Sequence, residues 1–258
     1  MTTQTASPSG TTTSPYSRSR VVAVTRLHFV NAWTVLIIPA MILGFILLAN
    51  IAIWWIILGA VGPDDRVDAR DGFSYSGATF YVFVYMMVVA IQVINVTFAY
   101  AMGFGVTRRD FYLGTTVAFV LMSALWALVM TALAAIEDLT GGWFLGGRMF
   151  TAIYFDADTW GGRFLMYFLV FLFFFFVGSA IASIYVRWKL NGTLVFFALL
   201  TVALIAAVAA VTFTGNWPAV GAWFVANGPL GVATWTLIPT AAASLLGYAV
   251  LRKATPRA

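Results

Sequence analysis

FLMYFLVFLFFFFVGSAIASIYV, residues 164–186, runs for 23 residues without Asp, Glu, Lys or Arg, and is bounded by Arg163 and Arg187. As a helix it reaches about 35 Å, enough to cross a hydrocarbon core about 30 Å thick. It is not an isolated case. Residues 27–63, 72–107, 111–136 and 190–251 are also free of Asp, Glu, Lys and Arg. The 258-residue chain is 62% hydrophobic, and its 14 basic and 9 acidic side chains sit in short clusters between these stretches. A water-soluble surface needs charge throughout, whereas an ionised group in hydrocarbon costs several kcal/mol. The pattern therefore predicts an all-α, polytopic integral membrane protein.

Spans are expected at 33–59, 77–103, 112–136 and 164–186. The stretch 190–251 is too long for one helix. Gly215-Asn216-Trp217-Pro218 and Asn227-Gly228-Pro229 interrupt it, leaving spans at 193–214 and 231–251. The residues between are too few for a seventh crossing and read as a re-entrant or surface-lying segment. Trp217, Trp223 and Trp235 suit the headgroup interface. Six transmembrane helices follow.

Orientation follows from the basic residues. One set of connections holds Arg18, Arg20, Arg26, Arg108, Arg109, Arg187, Lys189, Arg252, Lys253 and Arg257 against the single acid Asp110. The other holds Arg66, Arg70, Arg148 and Arg163 with Asp64, Asp65, Asp68, Asp71, Glu137, Asp138, Asp156 and Asp158. Excess Lys and Arg mark the cytoplasmic face, so both N- and C-termini are expected to be cytoplasmic. The basic excess is anchoring charge with membrane lipids as its partners, and does not indicate nucleic acid. Residues 1–17 read as a disordered tail. Residues 18–31 read as an amphipathic interfacial segment, 32–251 as the transmembrane domain and 252–258 as a cytoplasmic tail.

Composition excludes much chemistry. The chain has no Cys and one His, so no His/Cys zinc site can form in it. His28 is expected at the interface with its polar tip in water. Both lysines lack the glycines of a P-loop, so no ATP site of that kind is expected. Span interiors offer no acids, against an aspartyl-type intramembrane protease and against ion-coupled carriers. No catalytic, metal or cofactor site is expected in this chain. Asn50, Gln92, Asn95 and Thr97 are the polar exceptions within spans, read as interhelical hydrogen-bonding groups or as the polar lining of a substrate path.

Other segments stay open. The first outer loop, Gly62 to Gly72, reads as a solvated acidic loop rather than a calcium site. The second, about 137–163, reads as an interface-hugging loop or a gate. Phe171 and Phe173 to Phe176 either pack and face lipid or line an apolar route.

The connection after the second span carries the strongest functional signal. Gly103 and Gly105 end one helix, Thr107 can cap a short new one, and Arg108, Arg109 and Asp110 are expected to face the cytosol. Phe111, Tyr112 and Leu113 then form an apolar shoulder. By itself this is either a turn with topology-setting arginines or an elbow that docks into a groove on a cytosolic partner.

Gly105-Val106-Thr107-Arg108-Arg109-Asp110-Phe111-Tyr112-Leu113-Gly114 resembles the segment after the second span of bacterial ABC-2-type transporter permeases, which commonly show G-[VI]-[ST]-R-[RK]-x-[FY] there. The basic lead-in, the six spans and the interrupted segment before the last span agree with that family in layout. The resemblance implies the transmembrane subunit of an ATP-driven exporter in a bacterial plasma (inner) membrane. It implies a dimer with a second permease copy or a paralogue, and a separate cytosolic P-loop ATPase that binds the ATP. Residues 105–113 would match the family's coupling helix. The rival expectations are an ATPase-independent carrier or channel, and a non-transport membrane scaffold or immunity protein.

Overall fold

The computed structural model describes residues 15–253. The expectations for 1–14 and 254–258 lie outside these residues. Helix α1 spans Pro15–Phe29, so it starts within the stretch read as tail. A π-helical turn, Trp33–Ile37, leads into α2, Ile38–Ala60. Then come α3 (Arg66–Phe73), α4 (Phe80–Gly103), α5 (Arg108–Leu139), α6 (Trp160–Phe213), α7 (Trp217–Trp235) and α8 (Leu237–Arg252). Among the described residues there is no strand.

Five helical stretches are long and apolar enough to cross a membrane: Trp33–Ala60, Phe80–Gly103, Arg108–Leu139, Trp160–Phe213 and Trp217–Arg252. Two of them are composite. The 54-residue α6 breaks at Lys189, whose φ of 56° and ψ of −150° are not helical. The chain turns back there. Gly247 of α8 lies beside Ser179 and Ser183 before the break, while Leu230 of α7, after it, lies beside Gly162. The predicted interruptions near residues 215 and 228 are both present, as left-handed Gly215 (φ 67°) and Gly228 (φ 61°). Glycine carries such a φ without the Cβ clash that other residues meet.

The core is built by α4, α5 and the first part of α6. Phe171 and Phe175 point inward, with ring centroids 4.6 Å from Phe83 and 5.0 Å from Phe119 respectively. The phenylalanine run is thus a packing face, and these two rings do not border an open route. Gly178 lets α6 approach α4 closely, since a Cβ there would lie 2.6 Å from the Met87 carbonyl oxygen. In contrast, α6 after Lys189 is exposed nearly all round within the single chain. A helix apolar on every side is at home in lipid or against another membrane helix.

Residues 137–163, read as the second outer loop, pack partly into the bundle. Met149, Phe150 and Ala152 are wholly buried, and the backbone at Gly147 presses on the Trp54 ring. This part of the loop is packed into the bundle, while Leu139, Phe144 and Trp160 stay exposed. The first outer loop forms α3, with Asp64, Asp65, Asp68 and Asp71 all exposed.

Candidate functional site

The elbow between α4 and α5 is more rigid than a free-standing short helix. Gly105, at φ 72°, reverses the chain. Thr107 then adopts extended backbone and its Oγ1 accepts the Asp110 amide N–H at 3.1 Å, which is an N-cap. The capped helix is α5 itself, 32 residues and about 48 Å long. The expected short helix is absent because nothing breaks the helical run between Arg108 and Leu139. Within the segment, Gly105, Thr107 and Arg109 are exposed, Val106 and Arg108 half-buried, and Asp110 and Phe111 buried. Asp110 therefore does not face solvent as expected. It sits in the first turn of α5, where a negative charge complements the helix dipole.

Neighbouring elements clamp the elbow. Arg108 Nη1 donates to the Arg252 carbonyl at 2.7 Å, and the Tyr112 hydroxyl donates to the Ser244 carbonyl at 2.5 Å, both on α8. Phe111 packs against Phe98 of α4 and His28 of α1. Helix α1 crosses α5 at Gly114, where a Cβ would meet the Val24 Cβ at 2.6 Å, and Thr25 Oγ1 donates to the Gly114 carbonyl at 3.1 Å. In this lead-in Val24 and His28, one turn apart, are buried, while Arg20 and Arg26 are exposed.

His28 overturns its expectation. It is 2% exposed, not tipped into water. Its Nδ1 donates to the Val24 carbonyl at 2.8 Å, and its Nε2 has no protein partner. The register explains this, because position 28 shares the buried stripe of α1 with position 24. Burial pushes the imidazole pKa down, and the bond to the Val24 carbonyl partly opposes that. A buried acceptor without a donor costs about 1–3 kcal/mol.

The polar residues singled out within spans do not form one lining. Gln92, Val93, Val96, Thr97 and Tyr100 make one stripe of α4 that faces a cavity of about 380 Å³ beside α1. Asn95 falls outside that stripe, half-buried, with its Oδ1 lacking a partner. Asn50 lies on α2, and its amide donates back to the Ile46 carbonyl at 2.9 Å. Gln92 and Thr97 border this cavity, and Asn50 and Asn95 take no part in it.

The opposite end holds a polar knot that the sequence reading treated as loop charge. Glu137, 1% exposed, ends α5. One carboxylate oxygen accepts Trp143 Nε1 at 2.8 Å and the Met149 amide at 2.9 Å. The other accepts the Thr151 amide at 2.8 Å and its hydroxyl at 2.7 Å, and the Phe150 amide reaches both. Trp143, whose indole bonds Glu137, and its neighbour Phe144 have left-handed backbone (φ 56° and 65°), a conformation costing about 1–3 kcal/mol per residue. Beside the knot, Arg163 pairs with Asp138 at 2.9 Å and Asp156 at 3.6 Å. The available signal was that Glu137 is the chain's sole Glu, at the edge of an apolar run.

Comparison with known proteins returned no matching family model, no matching curated protein and no matching solved structure.

Proposed function

We propose that this chain is the transmembrane subunit of an ATP-driven ABC-type exporter, driven by a separate cytosolic ATPase. In this reading six helices cross a bacterial plasma membrane, the sixth crossing arising from the turn at Lys189, and both termini lie on the cytoplasmic side. The chain pairs with a second copy or a paralogue.

The observation that carries the reading is the elbow's mechanical position. Its tip, with Phe104, Gly105, Thr107 and Arg109 exposed, is capped directly onto α5, and α5 runs through the core to the Glu137 knot. A partner that pushes Arg109 and its neighbours pushes the longest unbroken helix of the bundle. The clamps to α8 and α1 spread that motion to two further elements. Basic residues gather at this end: Arg108 touches Arg252, and Arg187 lies one turn beyond Ser183, which is level with Gly247. Among the described residues, the buried Asp, Glu, Lys and Arg side chains are Asp110, Glu137 and Arg163, all near helix ends. The bundle's middle offers no ionised relay, so uphill transport needs force from outside it.

Affinity purification from native membranes tests this. Recovery of a P-loop ATPase in about 1:1 ratio supports the reading. Solute accumulation by the purified chain alone in liposomes rejects it in favour of an autonomous carrier. The double variant Arg108→Glu/Arg109→Glu should keep ATP hydrolysis while transport falls at least about tenfold, the effect of losing about 1.4 kcal/mol of coupling. A protease-protection control separates uncoupling from altered topology, because these arginines also help set orientation.

A further inference from the structure

Two cavities adjoin at the acidic end of the bundle, sharing Ile153, Gly228 and Pro229 in their walls. The first, about 650 Å³, is an apolar chamber bordered by the start of α4, the turn at Ile153–Phe155, the first part of α6 and α7. Its size suits a small molecule. No Asp, Glu, Lys or Arg lines it. Part of its wall is a set of packed rings, with the Phe80 centroid 5.3 Å from Phe155 and 6.1 Å from Tyr154. Phe224 and Pro229 of α7 add to that lining.

The second cavity, about 730 Å³, forms a polar mouth to the first. Asp156 and Asp158 line it, and no Lys or Arg does. Asp156 is partly engaged, 3.6 Å from Arg163, which pairs more closely with Asp138 at 2.9 Å. Asp158 is exposed and makes no hydrogen bond or ion pair among the described residues. The two cavities meet where α7 bends at Gly228, whose φ is 61°. That bend is braced by Trp235 Nε1, which donates to Asn227 Oδ1 at 3.1 Å, and by Leu230 lying against Gly162 of α6.

An occupant of the chamber must be largely apolar, and the rings favour a flat aromatic body by offset or edge contact. The carboxylates at the mouth repel an anionic head and attract a cationic one, while a neutral head gains nothing from them. A solvated carboxylate selects modestly. The apolar body therefore supplies most of the affinity, and the charge decides between heads.

We infer that the chamber and its acidic mouth together bind an amphiphilic cation, its ring-bearing apolar body among Phe80, Phe155 and Phe224 and its ammonium group beside Asp158. Binding stands on the two cavities alone. That such a cation is transported cargo rests on the permease reading above.

The test places the full chain in phosphatidylcholine nanodiscs and compares three probes that share one body: naphthylbutylamine, naphthylbutanol and naphthylbutyrate. Equilibrium dialysis at neutral pH reads binding, with protein-free nanodiscs subtracted. The amine should bind tightest and the acid weakest, and the amine's advantage should shrink as salt rises. Asp158→Asn should weaken the amine about threefold to fivefold, the worth of an exposed charge pair, and leave the alcohol unchanged. Phe224→Ala should weaken all three. Both side chains are exposed, so neither change threatens folding. Equal binding of amine and acid, an unchanged amine in Asp158→Asn, or a Phe224→Ala variant that alters no probe overturns the inference. No ATPase takes part in this assay. Its failure alongside successful ATPase recovery would reject the cation site alone.

Discussion

The two ends of the bundle treat a buried polar group in opposite ways. At the acidic end, Glu137 is surrounded by donors from Trp143 to Thr151, and every bond fixes a loop onto the core. At the basic end, His28 is equally buried yet leaves Nε2 unpartnered beside a cavity. A satisfied carboxylate makes a rigid closure, because removing any member exposes the rest to desolvation. An orphan acceptor with no accessible surface carries its desolvation cost uncompensated. One end is tied down by a saturated carboxylate, and the other carries the exposed elbow.

The sharpest way to break this contrast is Glu137→Ala. It strands the donors of Trp143, Met149, Phe150 and Thr151, so thermal melting in detergent should show a loss of about 3–5 kcal/mol. A near-neutral result would remove the anchor. Next is Gly114→Val, which drives a side chain into Val24 and the Val21 carbonyl. It should cost about 1–3 kcal/mol by overpacking and raise hydrogen exchange in α1, while exchange around Glu137 stays unchanged. Arg163→Met should cost about 1–2 kcal/mol, less than Glu137→Ala, since Asp138 keeps access to water with 45% of its side chain exposed.

The pH dependence sharpens the other side. The folded His28 pKa lies below its ordinary value of 6.5, so the unfolded chain takes up the proton first. Its contribution is fully present above pH 6.5 and is lost as pH falls toward the folded pKa, with a slope of at most about 1.4 kcal/mol per pH unit. Melting curves across pH 5 to 7 should show this slope in the native chain and its loss in His28→Phe. Arg109→Glu should move stability least, by about 0.5 kcal/mol or less, because Arg109 is exposed and, unlike Arg108, does not clamp α8. A large destabilisation there would mean that the elbow is structural rather than a free contact surface.

Some of the molecule was legible because single-residue physics governs it. Gly215 and Gly228 break helices wherever they stand, and the Thr107 cap needs only its immediate neighbours. The five helical stretches long and apolar enough to cross a membrane cover the charge-poor stretches of the sequence. Burial was another matter. Glu137, Asp110 and His28 each looked solvent-facing beside an apolar stretch. Whether a polar side chain at a helix end turns inward depends on what the rest of the chain brings to it. Likewise Gln92 and Asn95, three residues apart, looked equivalent, yet only Gln92 shares the cavity stripe of α4.

The sequence by itself determined helical stretches long and apolar enough to cross a membrane, their breaks and the charge asymmetry of their connections, because hydrocarbon rejects charge and unpaired backbone at every position independently. Only the tertiary structure decided which polar groups are satisfied. Six bonds converge on Glu137 from residues up to 14 positions away, and none reaches His28 Nε2, because hydrogen-bond partnership depends on distances that packing alone sets.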